Sequence, residues 1–266
     1  ASPELLEEAA RAAREADAAV VFAGLPDRYE SEGFDRESMA LPEGHNRMIE
    51  AAAAANPNTV VVLLCGCAVE CPWADKVKSI LYLGLPGQAG GEAAANLLFG
   101  RANPGGRLAE SWPYRYEDVP SSEIYGRTAD ALYEEGVYVG YRYYDKAGVP
   151  VRWPFGFGLS YTSFAYAGLR AEGNTVSVTV KNTGSRPGAE VVQLFVRAPQ
   201  EGLHRPIREL KGFQRVFLQP GESKTVSFAL TERSFAVWHG GWTVPGGVYT
   251  VEAGGLTAPV RVGGAP

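Results

Sequence analysis

The pattern of apolar and polar positions changes once along the chain, near residue 158. Before that point, helical spacing alternates with short continuous apolar runs. Residues 3–17 carry alanines and leucines at helical spacing with Glu and Arg opposite, predicting an amphipathic helix. The run at residues 18–24 predicts a buried strand. From Pro42 the spacing is helical again. Pro42 and Glu43 suit a first turn, and Met48, Ile49 and the alanines form the apolar face. Asn56-Pro57-Asn58 ends that helix. Residues 59–64 predict a second strand, continuously apolar as parallel strands covered on both faces are. A short helical piece from Pro72, a third strand over residues 79–83, and a helix over 93–99 follow. Strand and helix in alternation predict βαβ units with right-handed crossovers.

Beyond Gly158 the grammar is that of short, evenly spaced strands. Residues 175–180 alternate strictly, and residues 189–196, 225–230 and 248–253 follow, with turns at Asn182-Thr183-Gly184, Gln219-Pro220-Gly221 and Pro245-Gly246-Gly247. That pattern predicts an antiparallel β-sandwich. Between Gly100 and Pro154 regularity fades, and residues 133–144 are dense in aromatics. Such a segment more often packs a long connection onto a domain face than binds ligand, and its length without strong elements suggests a tether between domains or over a neighbouring domain. The expected fold class is therefore α/β then all-β. A mostly parallel α/β sandwich occupies residues 1–112, an aromatic-rich connection 113–158, and a β-sandwich 159–266.

Composition narrows the partners. The 266 residues suffice for one large or two ordinary domains with proper cores. A net charge of −5 without a basic cluster argues against nucleic acid and against an anionic membrane surface. No apolar run approaches a membrane span. The chain opens Ala1-Ser2-Pro3 and shows no signal-peptide pattern, which predicts a processed chain or one piece of a longer polypeptide. The three cysteines, Cys65, Cys67 and Cys71, lie in one short segment without a nearby fourth ligand, so they read as buried small thiols rather than a zinc site. An odd count without a framework leans toward a reducing, cytoplasmic compartment.

The candidate chemistry is concentrated in Tyr29-Glu30-Ser31-Glu32-Gly33-Phe34-Asp35-Arg36. This stretch follows the first strand, and loops at the carboxyl ends of strands in open α/β sheets are where ligands bind. One carboxylate with a raised pKa in a partly apolar site would serve as a general acid/base, with Phe34 and Tyr29 supplying that site. The same residues also fit a solvated acidic loop with a local Asp35–Arg36 pair. The glycine-rich turn Gly84–Glu92 could cradle phosphate, yet no Gly-Lys-Ser/Thr follows and no G-x-G-x-x-G register fits. Its glycines read as turn formers.

Several motifs resemble one family in its order along the chain. They are Glu30–Arg36, Asn56–Val62, Val69-Glu70-Cys71-Pro72-Trp73, Pro86-Gly87-Gln88, Leu98–Leu108, Gly136–Tyr144, Pro154–Thr162, Glu209–Phe213 and Leu218–Glu222. Together they resemble the glycoside hydrolase family 3 β-glucosidases, the last two matching that family's fibronectin type III-like module. The resemblance implies a retaining hydrolase of β-linked glycosides with two carboxylates from different domains. The nucleophilic aspartate belongs to a (β/α)₈ barrel and the acid/base glutamate to the α/β domain. The acid/base motif lands on Glu32, with Glu30 as the fallback. The family's methionine before Pro-Trp is Cys71 here. No barrel is present, and family members have further strands before the position of Ala18. Two-carboxylate chemistry implies no cofactor and no metal. The implied partners are a β-glycoside substrate and a barrel domain or chain. Two other classes stand beside this one: a non-catalytic scaffold or carbohydrate-binding portion, and a nucleotide-binding α/β protein.

Overall fold

The computed structural model describes residues 2–127, 129–200 and 204–263. They gather into two compact units. Of the described residues, the first comprises 2–101, 112–127, 129–131 and 150–152, the second 102–111, 132–149, 153–200 and 204–263.

In the first unit, helix α1 (Pro3–Glu15) starts where Ser2 accepts a hydrogen bond from the Leu5 N–H and Pro3 presets the first turn. It buries Ala10 and Ala13. Strand β1 (Ala19–Gly24), helix α2 (Glu43–Ala55) and strand β2 (Thr59–Leu64) follow, then strand β3 (Ser79–Tyr82). The three strands form a parallel sheet in the order β1-β2-β3, with Val21 opposite Val61 and Val61 opposite Ile80. Two polar residues of the turn after α2 organise this half. Buried Asn56 donates to the carbonyls of Ala13 and Ala16, closing the open end of α1, while its own oxygen accepts from Asn58. Buried Thr59 donates to Ala52 and Asn56, fixing the start of β2 under α2. Val61, Val62, Leu63, Ile49 and Trp73 are fully buried, and the Trp73 indole donates to Asn46 at 2.8 Å.

Strand β1 is an edge of this sheet, and its two side-chain faces differ. Val21 and Ala23 are buried, whereas Val20 and Phe22, pointing the other way, are 44% and 52% exposed. Helix α3 (Gly90–Leu98) begins three residues before the expected start, because Gly90 and Gly91 are already helical and Gly90 lies close against Pro86. The strand expected to run to Leu83 ends at Tyr82, and the helical piece after Pro72 is a single 3₁₀ turn, Ala74–Lys76. Strands β4 (Trp112–Pro113) and β5 (Val151–Trp153) and helix α4 (Tyr141–Ala147) belong to the stretch where the sequence pattern is irregular.

The second unit is the expected sandwich, with more strands than the periodicity reveals. One sheet holds β6 (Phe164–Glu172), β7 (Thr175–Asn182) and β10 (Ser223–Ala229) in the order β10-β7-β6. The other holds β8 (Gly188–Arg197), β9 (Glu209–Leu218), β13 (Gly247–Ala253) and β14 (Leu256–Val262) in the order β14-β13-β8-β9. A short helix α5 (Glu232–Phe235) and a small hairpin of β11 (Val237–Trp238) and β12 (Trp242–Thr243) complete it. Val178, Val180, Val192, Leu194, Leu218, Tyr249 and Val251 form the core between the sheets. Strands β6, β9 and β14 are additions to the sequence-based reading. A bulge near Gly168 interrupts β6, a register shift opposite Leu194 and Phe195 interrupts β9, and Pro259 sits in β14, an edge strand where the missing N–H costs no ladder bond. The aromatic segment packs within this unit. Tyr141 stacks on Phe155 with centroids 4.8 Å apart, meets Phe195 edge-on, and accepts a hydrogen bond from the Leu210 N–H.

Candidate active site

The acidic loop leaves β1 over the carboxyl ends of the parallel strands, as the sequence predicts. Gly24 is required there: a β-carbon at this position would lie 1.9 Å from the Leu64 carbonyl oxygen. Leu25 then continues the pairing by donating to Leu64, and the Pro26 carbonyl accepts from Tyr29 and Glu30 in a tight turn. The imidazole of His45 lies at the Gly24 backbone, 3.0 Å from its carbonyl oxygen.

Glu30 and Glu32 have opposite surroundings. The Glu30 carboxylate turns inward and accepts from the Gly66 N–H at 2.9 Å and from the Cys67 thiol at 3.0 Å. Its lone pairs hold the loop that follows β2. Glu32 lies at the tip of a narrow turn in which Ser31 bridges Phe34 and the Gly33 N–H donates to the Ser31 hydroxyl. Its side chain is exposed, and among the described residues its carboxylate has no hydrogen-bond or ion-pair partner.

Three expectations for the loop are corrected. Asp35 and Arg36 do not pair. Asp35 accepts from the Tyr125 hydroxyl, a bond that raises the tyrosine's pKa, and the Arg36 guanidinium turns inward. It donates to the Ala68 carbonyl at 3.2 Å and meets the Cys67 sulfur at 2.7 Å, and its Nη2 is buried without a partner among the described residues. Tyr29 and Phe34 are 39% and 49% exposed, so they leave Glu32 open rather than enclosing it. Finally, only Cys65 and Cys71 are buried apolar thiols, with burial pushing both up to about 12. Cys67 is half-buried and polar-partnered; desolvation first, then its bond to Glu30, raises its pKa, while Arg36 opposes the shift. No periodicity or spacing marks these Cys67 contacts, which span more than thirty residues.

Past Arg36 the loop is laced to the same neighbour. The Met39 carbonyl accepts from the Glu70 N–H, Ala40 bridges Glu70, and the Glu70 carboxylate accepts from the Tyr116 N–H. The glycine-rich turn is an exposed loop whose Gly84 and Gly87 have positive φ, the conformation glycine allows most readily. In the second unit, a cavity of about 260 Å³ is lined by Arg107, Tyr166, Glu190, Arg208 and Glu252. Its charges are already paired with one another or with Asp145, so they hold the sandwich together. Among the described residues, no group of three or more His, Cys, Asp or Glu is arranged to hold a metal, and no helix is long and apolar enough to cross a membrane.

Comparison with known proteins gives a consistent placement. The family model for the glycosyl hydrolase family 3 C-terminal domain matches residues 2–141, and that for a fibronectin type III-like domain matches residues 190–256. Thermostable beta-glucosidase B of Acetivibrio thermocellus is 49% identical over 94% of this chain, which spans 35% of that relative's length. An exo-alpha-(1->6)-L-arabinopyranosidase of Bifidobacterium breve is 45% identical over 96% of the chain and is likewise spanned to 35%. Among solved structures, the family 3 beta-glucosidase of Bifidobacterium adolescentis superposes with a TM-score of 0.95 at 43% identity, covering 99% of this chain and 42% of that one. The beta-glucosidase of Kluyveromyces marxianus in complex with glucose gives 0.93 at 37% identity, covering 97% and 33%. The chain belongs to glycosyl hydrolase family 3, as its C-terminal α/β portion followed by a fibronectin type III-like β-sandwich.

Proposed function

We propose that this chain is the acid/base-bearing part of a retaining β-glycosidase, a β-glucosidase, and that Glu32 is its general acid/base. The observation that carries this reading is the division of labour between the two loop carboxylates. Glu30 spends its oxygens on Gly66 and Cys67, whereas Glu32 is presented on a short turn with its oxygens uncommitted. A carboxyl that must give a proton to a leaving oxygen and then take one from water needs that freedom.

A retaining mechanism needs a second carboxylate about 5–5.5 Å away to attack the anomeric carbon. In this reading that nucleophile is an aspartate on a (β/α)₈ barrel in the same polypeptide or in a partner. Glu32 protonates the departing oxygen as the glycosyl–enzyme bond forms. It then deprotonates the water that breaks that bond, returning both carboxyls to their starting states. No metal or nucleotide takes part.

The test is complementation. A polypeptide joining this chain to the barrel portion should hydrolyse aryl β-glucosides, and this chain alone should not. Parallel assays on aryl α-L-arabinopyranosides decide between the two activities named among the relatives. Hydrolysis of an aryl glucoside by a pure, monomeric sample of these residues alone would overturn the two-domain site.

A further inference from the structure

We infer that Glu30 and Arg36 are positioning residues for Glu32, acting as a clamp that closes on Cys67. This rests on the acid/base reading of Glu32 and deepens it. The two side chains flank the turn that carries Glu32, one before it and one after, and both reach the end of β2. Glu30 accepts from the Gly66 N–H and the Cys67 thiol; Arg36 meets the same sulfur and donates to the neighbouring Ala68 carbonyl. Between these anchors, six residues apart in sequence, the turn is held by the Ser31–Phe34 bridge and the Gly33 N–H bond to the Ser31 hydroxyl, and Asp35 meets Tyr125. Gly66 matters to the fit, because a β-carbon there would press on the Glu30 carboxylate at 3.1 Å.

The physical need for such a clamp is plain. Glu32 is exposed and, among the described residues, its carboxylate has no hydrogen-bond or ion-pair partner, so no such bond fixes its distance from a bound glycoside. An acid that misses the leaving oxygen by an ångström loses about a hundredfold in rate. The placement therefore has to come from the ends of the turn. Cys67 is the shared element: its thiol donates to the carboxylate on one side while its sulfur faces the guanidinium on the other. The charged groups around it are Glu30, which disfavours its ionisation, and Arg36, which favours it, with the Cys65 thiol nearby.

The polypeptide that joins this chain to its barrel portion allows a test with matched variants. Cys67→Ser keeps a hydroxyl able to donate to Glu30 and accept from Arg36; Cys67→Val keeps the size and removes both contacts. For glucosides with poor, alkyl leaving groups, Cys67→Val should lower kcat/KM roughly 10- to 100-fold while Cys67→Ser stays near wild type. For dinitrophenyl glucosides, which need little protonation, both should stay near wild type. Equal losses on both substrates, or no loss in Cys67→Val, would overturn the inference while leaving Glu32 in its role. If Glu32→Gln itself shows no leaving-group dependence, the acid/base reading falls and this inference with it.

A second readout needs no activity. The pH dependence of Cys67 alkylation, followed by peptide mass spectrometry, should move to lower pH in Glu30→Gln and to higher pH in Arg36→Gln. An unchanged profile in both would show that the clamp does not form in solution.

Discussion

Arg107 and Glu190 offer a measurement of what the charged network in the sandwich contributes. Their side chains are 14% and 8% exposed and form an ion pair, Arg107 also donating to the Gly158 carbonyl. Among the described residues Glu190 has one further donor, the Tyr166 hydroxyl at 2.7 Å, whose own ionisation burial and that bond push up. Arg107→Met keeps most of the side-chain volume but leaves the carboxylate buried with a single neutral donor. Breaking one partner of a buried pair in this way costs about 3–5 kcal/mol. At about 1.4 kcal/mol per tenfold, that is a roughly 140- to 3700-fold rise in exchange for amides that open with the whole unit. Hydrogen exchange of the β7 and β8 amides is the assay, since it reads the sandwich without the α/β unit. The double variant Arg107→Met/Glu190→Gln removes the uncompensated charge yet keeps an acceptor for Tyr166. It should recover to within about 1 kcal/mol of wild type, the worth of the lost bond to Gly158. A single variant costing under about 1 kcal/mol, or a double variant as unstable as the single, would refute this account of the pair.

Two more outcomes follow from burial. Val20 and Phe22 expose an apolar strip on the edge strand β1, so this chain on its own should associate, and Phe22→Lys should shift it toward monomer in sedimentation velocity. An unchanged distribution would place the self-contact elsewhere. Burial raises Cys65 and Cys71 from 9.0 to about 12, so their contribution to stability is complete below pH 9 and declines as pH rises toward 12, where the unfolded chain ionises first. Tm should therefore fall across that window, and the double variant Cys65→Ala/Cys71→Ala should show a shallower fall; parallel curves would contradict it.

What the sequence makes legible here depends on how local its cause is. Strand β2 was readable to the residue because six apolar positions in a row fit little but a strand covered on both faces. Strand β7 was readable from strict alternation, although it runs two residues further, to Asn182. Strands β6, β9 and β14 were not, since Gly168, Lys211-Gly212 and Pro259 break the pattern at points where bulges or an edge position accommodate them. The loop shows the same divide. Its position after β1 follows from the apolar run before it, and the family motif singled out Glu32. The different surroundings of two carboxylates two residues apart depend on the Gly66 N–H, 36 residues beyond Glu30, and no local pattern announces that contact. Adjacency suggested that Arg36 would pair with Asp35, but a half-buried sulfur and a carbonyl from the next strand's loop took the guanidinium instead.

The central claim is that Glu32 moves the proton. The measurement that bears on it most directly is the leaving-group dependence of Glu32→Gln in the polypeptide that joins this chain to its barrel. The account predicts that kcat/KM falls 10²- to 10⁴-fold, roughly the worth of general acid catalysis, for glucosides with alkyl leaving groups, and far less for dinitrophenyl glucosides. Glu30→Gln should show the same preference at much smaller amplitude. Equal loss on both substrate classes in Glu32→Gln would remove Glu32 from the acid/base role.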